Sequence, residues 1–464
     1  MPTLTLWRVA AVAIPVSFAA SVAMADDSAA PDSREKQLEQ RVEELEKKLD
    51  EVNRKLADAG TSQAGDELAQ RVAELERLNR KNEGGMFPQW KNTTWLSNAD
   101  GSTKIRIGGR IQNDWNWFYG AADVTDKTGL DIEDGTEFRR ARMQICGTLY
   151  GNVDFAAEYD FAGGTTKLRD VTIALNSSCL PRISVGSQKE PFGLEQLTSD
   201  LYTNMMERHS SDSAFAPSYN TGLLVSDTCM KEKVSWAFGI FRDANDAGDD
   251  INNSRSGDVN YTARVTGRPW ISENGDNWVH IGVAGSYREP SDDTAQFSSK
   301  PELHLAPALV NTGPLAADQV ELLEGESAAA FGSFHAQAEY YLASVGGTAG
   351  GPDADFTGWA LQGGYFLTGE KRPYQTSNGT WGRVIPKKNM DGEGKGMGAW
   401  EVVGRYDFVN LNDGPVDGGK MKTLSFGVNW YLNPNTRVMV DWVHAHADPA
   451  GSLNGLEMRF QVDF

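Results

Sequence analysis

Hydrophobic and polar residues change period at about Trp90. In "KIRIGGRIQNDWNWFY" the odd positions Ile105, Ile107, Ile111, Trp115, Trp117 and Tyr119 are apolar, while Lys104, Arg106, Arg110, Gln112 and Asp114 occupy even ones. A period of two places these sets on opposite faces of a strand. The same alternation sets Val153, Phe155, Tyr159 and Phe161 against Asp154, Glu158 and Asp160. It returns in Val279, Ile281, Val283 and Tyr287, and in Leu424, Phe426, Val428 and Trp430. Upstream the spacing is helical: Leu38, Val42, Leu45, Leu49, Val52 and Leu56 keep one seam, which resumes at Leu68, Val72 and Leu75 with Asn79 next in line. That spacing predicts an α-helical coiled coil over 26–85. So short a seam is marginal alone and reports oligomerisation driven elsewhere.

A soluble sandwich also alternates, so other features must discriminate. The strands are about ten residues long, their aromatics cluster toward the ends, and the opposite face carries charges of both signs, as a transmembrane β-barrel requires. The terminal "LEMRFQVDF" sets Leu456, Met458, Phe460, Val462 and Phe464 on one face. It is similar to the assembly signal of bacterial outer-membrane barrels. Strands are expected near 104–119, 137–149, 152–162, 168–176, 182–190, 219–228, 232–242, 259–268 and 277–288, and then near 333–344, 356–367, 398–410, 421–432, 435–445 and 455–464. That number is odd, and the alternation of ends fails between 289 and 331. A hidden strand in "DQVELLEGESAAAFGSFHAQAEYYLA", turning near Gly332, restores both. The prediction is an all-β transmembrane barrel of 16 antiparallel strands. Its cost is a long connection, "TGEKRPYQTSNGTWGRVIPKKN", on the periplasmic side.

The first 25 residues read as an export signal: Arg8, an apolar run from Val9 to about Val22, and Ala23-Met24-Ala25 before Asp26. No apolar run of about 20 residues follows that could span as a helix. Export exposes the three cysteines to an oxidising compartment. Cys179 and Cys229 fall in turns at the periplasmic end of neighbouring strands, so a disulfide between them is expected. No spacing suits a zinc site or another metal or cofactor. His209-Ser210 has no nucleophile motif around it, His444 and His446 lack a third ligand, and "VGGTAGG" lacks the Lys-Ser/Thr of a phosphate cradle. The chain reads as neither an enzyme nor a nucleic-acid binder.

Several segments resemble the phosphate-selective porin O and P family: "EFRRARMQICGTLYGNVDFAAEYDFA", "LRDVTIAL", "VGSQKEPFGLEQLTSDLYTNMMERH", "YFLTGEKRPY", "GAWEVVGRYD" and "LSFGVNWYLNPNTRVMV". The resemblance covers about 86–464. It implies a homotrimeric barrel in the bacterial outer membrane, with the coiled coil in the periplasm. It also implies a third external loop, 190–219, folded into the pore, and small anionic solutes such as phosphate as cargo. In "FRRA" it implies pore arginines at Arg139 and Arg140.

By parity Ala141, Met143, Ile145 and Leu149 face lipid, so Arg140 and Arg142 point inward with Gln144 and Cys146, beside Arg106 and Arg110 on the neighbouring strand. Guanidiniums stay charged and present forks suited to oxyanions, so an anion-attracting strip is one reading. The other is that Asp154, Glu158 and Asp160 on the next strand pair with the arginines and brace the wall. Arg139 has outward parity and needs a bulge or a strand end to reach the pore. Arg169 shares the outward parity of Val171 and Ile173. Within the inserted loop Lys189, Glu195, Arg208 and His209 are the candidate groups. The resemblance implies lysine in this region, but none follows Lys189 within the loop, and Gln196 and Asp200 stand where it would be sought, which argues for a general or weakly anion-selective pore over high phosphate specificity. A net charge of −20 does not decide selectivity, which is local to the constriction. The function expected is passive diffusion of small solutes with a preference for anions, phosphate or other oxyanions, through an arginine-lined pore; the alternative is a nonselective or structural, surface-binding barrel tethered through its coiled coil.

Overall fold

A computed structural model describes residues 85–90, 93–242, 259–290, 293–348 and 350–464. The export signal over 1–25 and, apart from Gly85, the coiled coil over 26–85 lie outside the described residues. The barrel strands are β1 (Lys104–Tyr119), β2 (Gly135–Leu149), β3 (Val153–Asp160), β4 (Lys167–Leu175), β5 (Arg182–Lys189), β6 (Tyr219–Cys229), β7 (Val234–Arg242) and β8 (Asn260–Ile271). They continue as β9 (Trp278–Arg288), β10 (Leu315–Phe331), β11 (Phe334–Gly347), β12 (Ala354–Phe366), β13 (Ala399–Asp413), β14 (Val416–Asn433), β15 (Thr436–Asp448) and β16 (Gly451–Asp463). Each pairs antiparallel with the next, and β16 pairs with β1, which closes a 16-stranded barrel. The hidden strand is β10, joined to β11 by the two-residue turn at Gly332.

Closure removes the free edges that hydrocarbon does not tolerate. Leu456 lies opposite Trp117 and Val462 opposite Ile111. The terminal Phe464 exchanges backbone hydrogen bonds with Gly109, at 3.0 and 3.1 Å. Both residues of the "GG" in β1 are needed here: a Cβ on Gly108 would strike the Phe464 carbonyl oxygen, and one on Gly109 the Arg142 carbonyl oxygen. Two short strands, Phe87–Trp90 and Thr94–Ser97, form a hairpin whose second arm pairs with the start of β1.

The alternation holds around the wall. Ile107, Trp115, Met143, Ile173, Val185, Leu361 and Phe426 are exposed on the outside, and Gln112, Asp114, Arg264, Glu326, Arg405 and Arg459 are buried on the inside. The strands β13 to β16 run several residues beyond the expected limits and end in tight hairpins at 414–415 and 449–450. Membrane thickness sets only the apolar stretch; ladder pairing continues beyond it wherever both strands remain extended. One end of the barrel carries long connections such as 190–218 and 289–314. At the other, turns as short as 332–333 and 434–435 alternate with the expected exception, 367–398.

Candidate functional site: the lumen and its inserted loop

The segment between β5 and β6 folds into the barrel. It carries a short helix, Leu194–Leu197, and a second, Ser210–Phe215, whose N-terminal His209 accepts a bond from the Asp212 amide at Nδ1. Irregular backbone at membrane depth must find partners for its polar groups, and inward side chains of the far wall supply them. Asp441 accepts from the Met206 amide at 2.7 Å and Asp407 from the Ser210 amide at 2.8 Å. Arg437 donates to the Thr203 carbonyl at 2.6 Å, Asn429 to that of Asn204 at 2.8 Å, and Arg405 to that of Glu207 at 2.7 Å.

The predicted loop residues anchor it. Glu195 is fully buried and accepts from Gln337 and Gln362 at 2.9 and 3.1 Å, with Arg405 at 3.5 Å. Arg208 bonds the carbonyls of Glu195, Gln196 and Thr198, and so ties the loop to itself. His209 Nε2 lies 3.0 Å from Glu339. Lys189 donates to the Gln196 carbonyl at 2.6 Å and lies over the Tyr219 ring.

The arginines of β2 face this loop. Asp200 contacts Arg110, Arg140 at 2.7 Å and Arg142 at 3.2 Å. From the wall, Glu158 pairs with Arg110 at 2.7 Å and with Arg142 at 3.3 Å, and Asp160 with Arg142 at 2.8 Å. Burial opposes ionisation of Asp200, yet the guanidiniums of Arg140, Arg142 and Arg110 outweigh it and hold its carboxyl well below the ordinary range. The strip is therefore paired on both sides. Arg106 stands apart and donates to Gln144. Asp154, expected in the bracing, instead bonds Thr148 and Asn176, with Arg182 at 3.8 Å.

Arg139 reaches the interior by a bulge. Gln112 pairs with Arg140 but Asn113 with Phe138, which leaves Arg139 as the extra residue. Its guanidinium then grips Glu207 of the loop with two bonds, at 2.8 and 2.9 Å. A second register shift, between Ala157 and Tyr159, overturns the outward reading of Arg169: its guanidinium lies 3.5 Å from inward Asp160 and over the Tyr219 ring.

Two further segments enter the lumen. From the long-loop end, 289–314 brings Leu303 and Phe297 into an apolar cluster with Phe192, Phe215 and Phe356, and Glu302 to Arg405 at 2.7 Å. From the other end, 367–398 inserts Trp381 against Trp278 and His335, and Arg264 donates to the Asn378 and Gly379 carbonyls at 2.6 and 2.9 Å. That explains the long connection: it is an inward fold packed on the wall of β8 to β11. Sequence reasoning missed Arg264, Arg405, Arg437 and Arg459, although strand parity marks each as an inward charge.

Two cavities lie along β1 to β8. A cavity of about 430 Å³ is lined by Arg110, Arg142, Lys189 and Arg264 with Asp170 and Asp200. A second, also of about 430 Å³, lies against Lys104, Gln144 and Cys146, and shares Asp170, Arg182 and Gln188 with the first. The two therefore adjoin along this half of the barrel.

The disulfide expected between Cys179 and Cys229 is not formed; both thiols, and that of Cys146, are free. Pairing of β5 with β6 stops at Arg182 and Ser226, so no ladder holds Cys179 against Cys229, which pairs instead with Val234. His444 and His446 bond Asn454 and Ser452, each at 2.8 Å.

The family model described as "Phosphate-selective porin O and P" matches residues 105–464. The chain is 26% identical over 402 residues to Porin O of Pseudomonas aeruginosa, covering 78% of this chain and 87% of that protein. It is 29% identical over 353 residues to an uncharacterised protein of Caulobacter vibrioides, covering 74% and 68%. Among solved structures, the anion-selective porin from Comamonas acidovorans is similar at 12% identity and a TM-score of 0.48, over 78% of this chain and 100% of that one.

Proposed function

Because the chain belongs to the phosphate-selective porin O and P family, an outer-membrane porin family, we propose that it is a weakly anion-preferring diffusion pore. Five cations (Arg110, Arg142, Arg182, Lys189 and Arg264) line the first of the two cavities against three carboxylates (Glu158, Asp170 and Asp200). That imbalance carries the reading. In a water-filled lumen such charges attract counter-ions without binding them tightly. Arg110, Arg142 and Arg264 are already engaged by carboxylates, and Arg182 lies 3.8 Å from Asp154, so the preference is modest. Lys189 has no carboxylate partner among the described residues, but donates to the Gln196 carbonyl of the loop. Phosphate and other oxyanions are the expected cargo, but a paired strip favours selection by charge over capture of one species.

The long-loop end faces outward and the turn end the periplasm. The barrel assembles as a homotrimer through its walls, and the seam Leu38 to Leu56 adds a three-stranded coiled coil on the periplasmic side. Reversal potentials of single channels in a salt gradient test the pore. An anion preference is expected; cation preference refutes it, and absence of conductance returns the structural barrel. Deleting 26–80 leaves a trimeric pore if the walls drive assembly.

A further inference from the structure

The outer face of β13 to β16 carries a charge pattern that conduction does not use. From the turn end upward, successive outward rows on β14 are Trp430, Val428, Phe426 and Leu424. Beside them stand Val438, Val440, Trp442 and His444 on β15. Trp400 and Trp430 stack at 5.1 Å and mark the lower aromatic girdle. The next row is Lys422 beside His446, with Phe408 across on β13, and above it Lys420 stands beside Asp448.

Height places that row. Eight residues separate Trp430 from Lys422, which at about 3.4 Å per residue and a tilt near 40° is about 21 Å, against an apolar band about 25 Å tall. The lysine stem carries its ammonium the remaining distance to the upper interface. Lys420, Lys422 and His446 are all exposed. Neither lysine has a carboxylate within ion-pair distance among the described residues, although exposed Asp448 is near in register. His446 Nδ1 lies 2.8 Å from the Ser452 hydroxyl, which leaves Nε2 for another group. Below, Phe426, Trp442 and His444 stack in a column, with rings 6.1 and 6.2 Å apart. On the strands to one side, the upper outward positions are Glu321 and Asp355 instead.

We propose that Lys420, Lys422 and His446 bind the phosphate group of an anionic glycolipid in the outer leaflet, with the column of Phe426 and Trp442 as the platform for its acyl chain. Cations at the polar boundary beside an aromatic and apolar strip fit a ligand that is charged at one end and hydrocarbon at the other. A soluble phosphate has no use for the column. The site rests on the outward assignment of the long-loop end, but uses none of the pore residues.

The full-length protein, extracted from its membrane in mild detergent, is examined by native mass spectrometry beside Lys420→Ala/Lys422→Ala. Wild-type protein is expected to retain phosphorylated glycolipid in a fixed ratio to protomer and to lose it in the double variant. A Lys422→Arg protein keeps it. Delipidated wild-type protein offered phosphatase-treated glycolipid should bind several-fold less than with the intact lipid. Equal retention by the double variant, or equal binding of the dephosphorylated lipid, overturns the proposal. So does dissociation of the oligomer in the variant, because the face then lies between copies. Conductance of the same samples separates this result from the pore reading: an unchanged channel with unchanged lipid refutes the lipid site alone.

Discussion

Replacing Asp200 with asparagine isolates the loop's share of the electrostatics at the arginines. Of the three carboxylates that contact Arg110, Arg140 and Arg142, Glu158 and Asp160 belong to the wall and only Asp200 to the loop. The variant removes one negative charge from the lining of the cavity beside Arg110, Arg142 and Lys189. For an ion passing at about 5 Å, a unit charge in water contributes about 0.8 kcal/mol, which a Debye length of about 8 Å reduces to about 0.45 kcal/mol, or about twofold in local concentration. Anions gain and cations lose by that factor, so the anion-to-cation permeability ratio should rise about fourfold. Asparagine keeps the shape and an acceptor oxygen, and the loop retains its bonds to Asp441, Asp407, Arg437 and Arg405. The channel should therefore open to a similar conductance. Arg140, left with Gln112 as its side-chain partner, makes the folded protein somewhat less heat-resistant. The assay is the reversal potential across a planar bilayer at fixed salt gradient, for wild type and variant. An unchanged ratio would place the conducting path away from Asp200; a shift toward cations would refute the charge argument altogether.

Burial pushes the Asp212 carboxyl up to about 7 from 3.8, with Arg208 and His209 opposing only in part. Burial also disfavours the charged form of His209, but its bond to Glu339 outweighs this and raises its pKa. In the folded state Asp212 holds a proton that the unfolded chain releases near 4, so its contribution declines as pH rises from about 4 to about 7. His209 contributes below its ordinary pKa and loses that as pH rises through the raised one, so both groups loosen the loop on the alkaline side. Melting temperatures at about pH 5 and about pH 8 should differ less for Asp212→Asn than for wild type, and equal slopes would count against this assignment. Gly108→Val should prevent closure at Phe464, read as loss of the compact heat-modifiable band on a gel; a normal band refutes the contact. Exposed Cys179 and Cys229 should both react with a maleimide in the folded, unreduced protein, and protection of the pair would mean that a disulfide forms after all.

Period-two alternation marked the strands; strand length, aromatic ends and the terminal segment distinguished a barrel from a sandwich, and the need for an even number with alternating ends revealed the hairpin hidden at Gly332. The same parity placed Arg140 and Arg142 inside and named a bulge as the condition for Arg139 to join them. It could not supply that bulge, nor the shift that turns Arg169, because a register slip comes from the fit of two strands and not from either one. The coiled-coil seam is equally a property of sequence, yet falls outside the described residues. What the arginines face was beyond parity. Asp200, Glu207 and Asp212 lie in a loop without a period, and only folding that loop across the lumen brings Asp200 to Arg140 and Met206 to Asp441. The inward turn of 367–398 is of the same kind. Its polar backbone is satisfied by Arg264, a residue more than a hundred positions away in the chain. Local alternation thus determined which side of the wall a residue occupies wherever the register is unbroken. Which inward charges meet, and so how much field is left for a passing ion, was decided by long-range packing within a lumen whose polar groups must find partners.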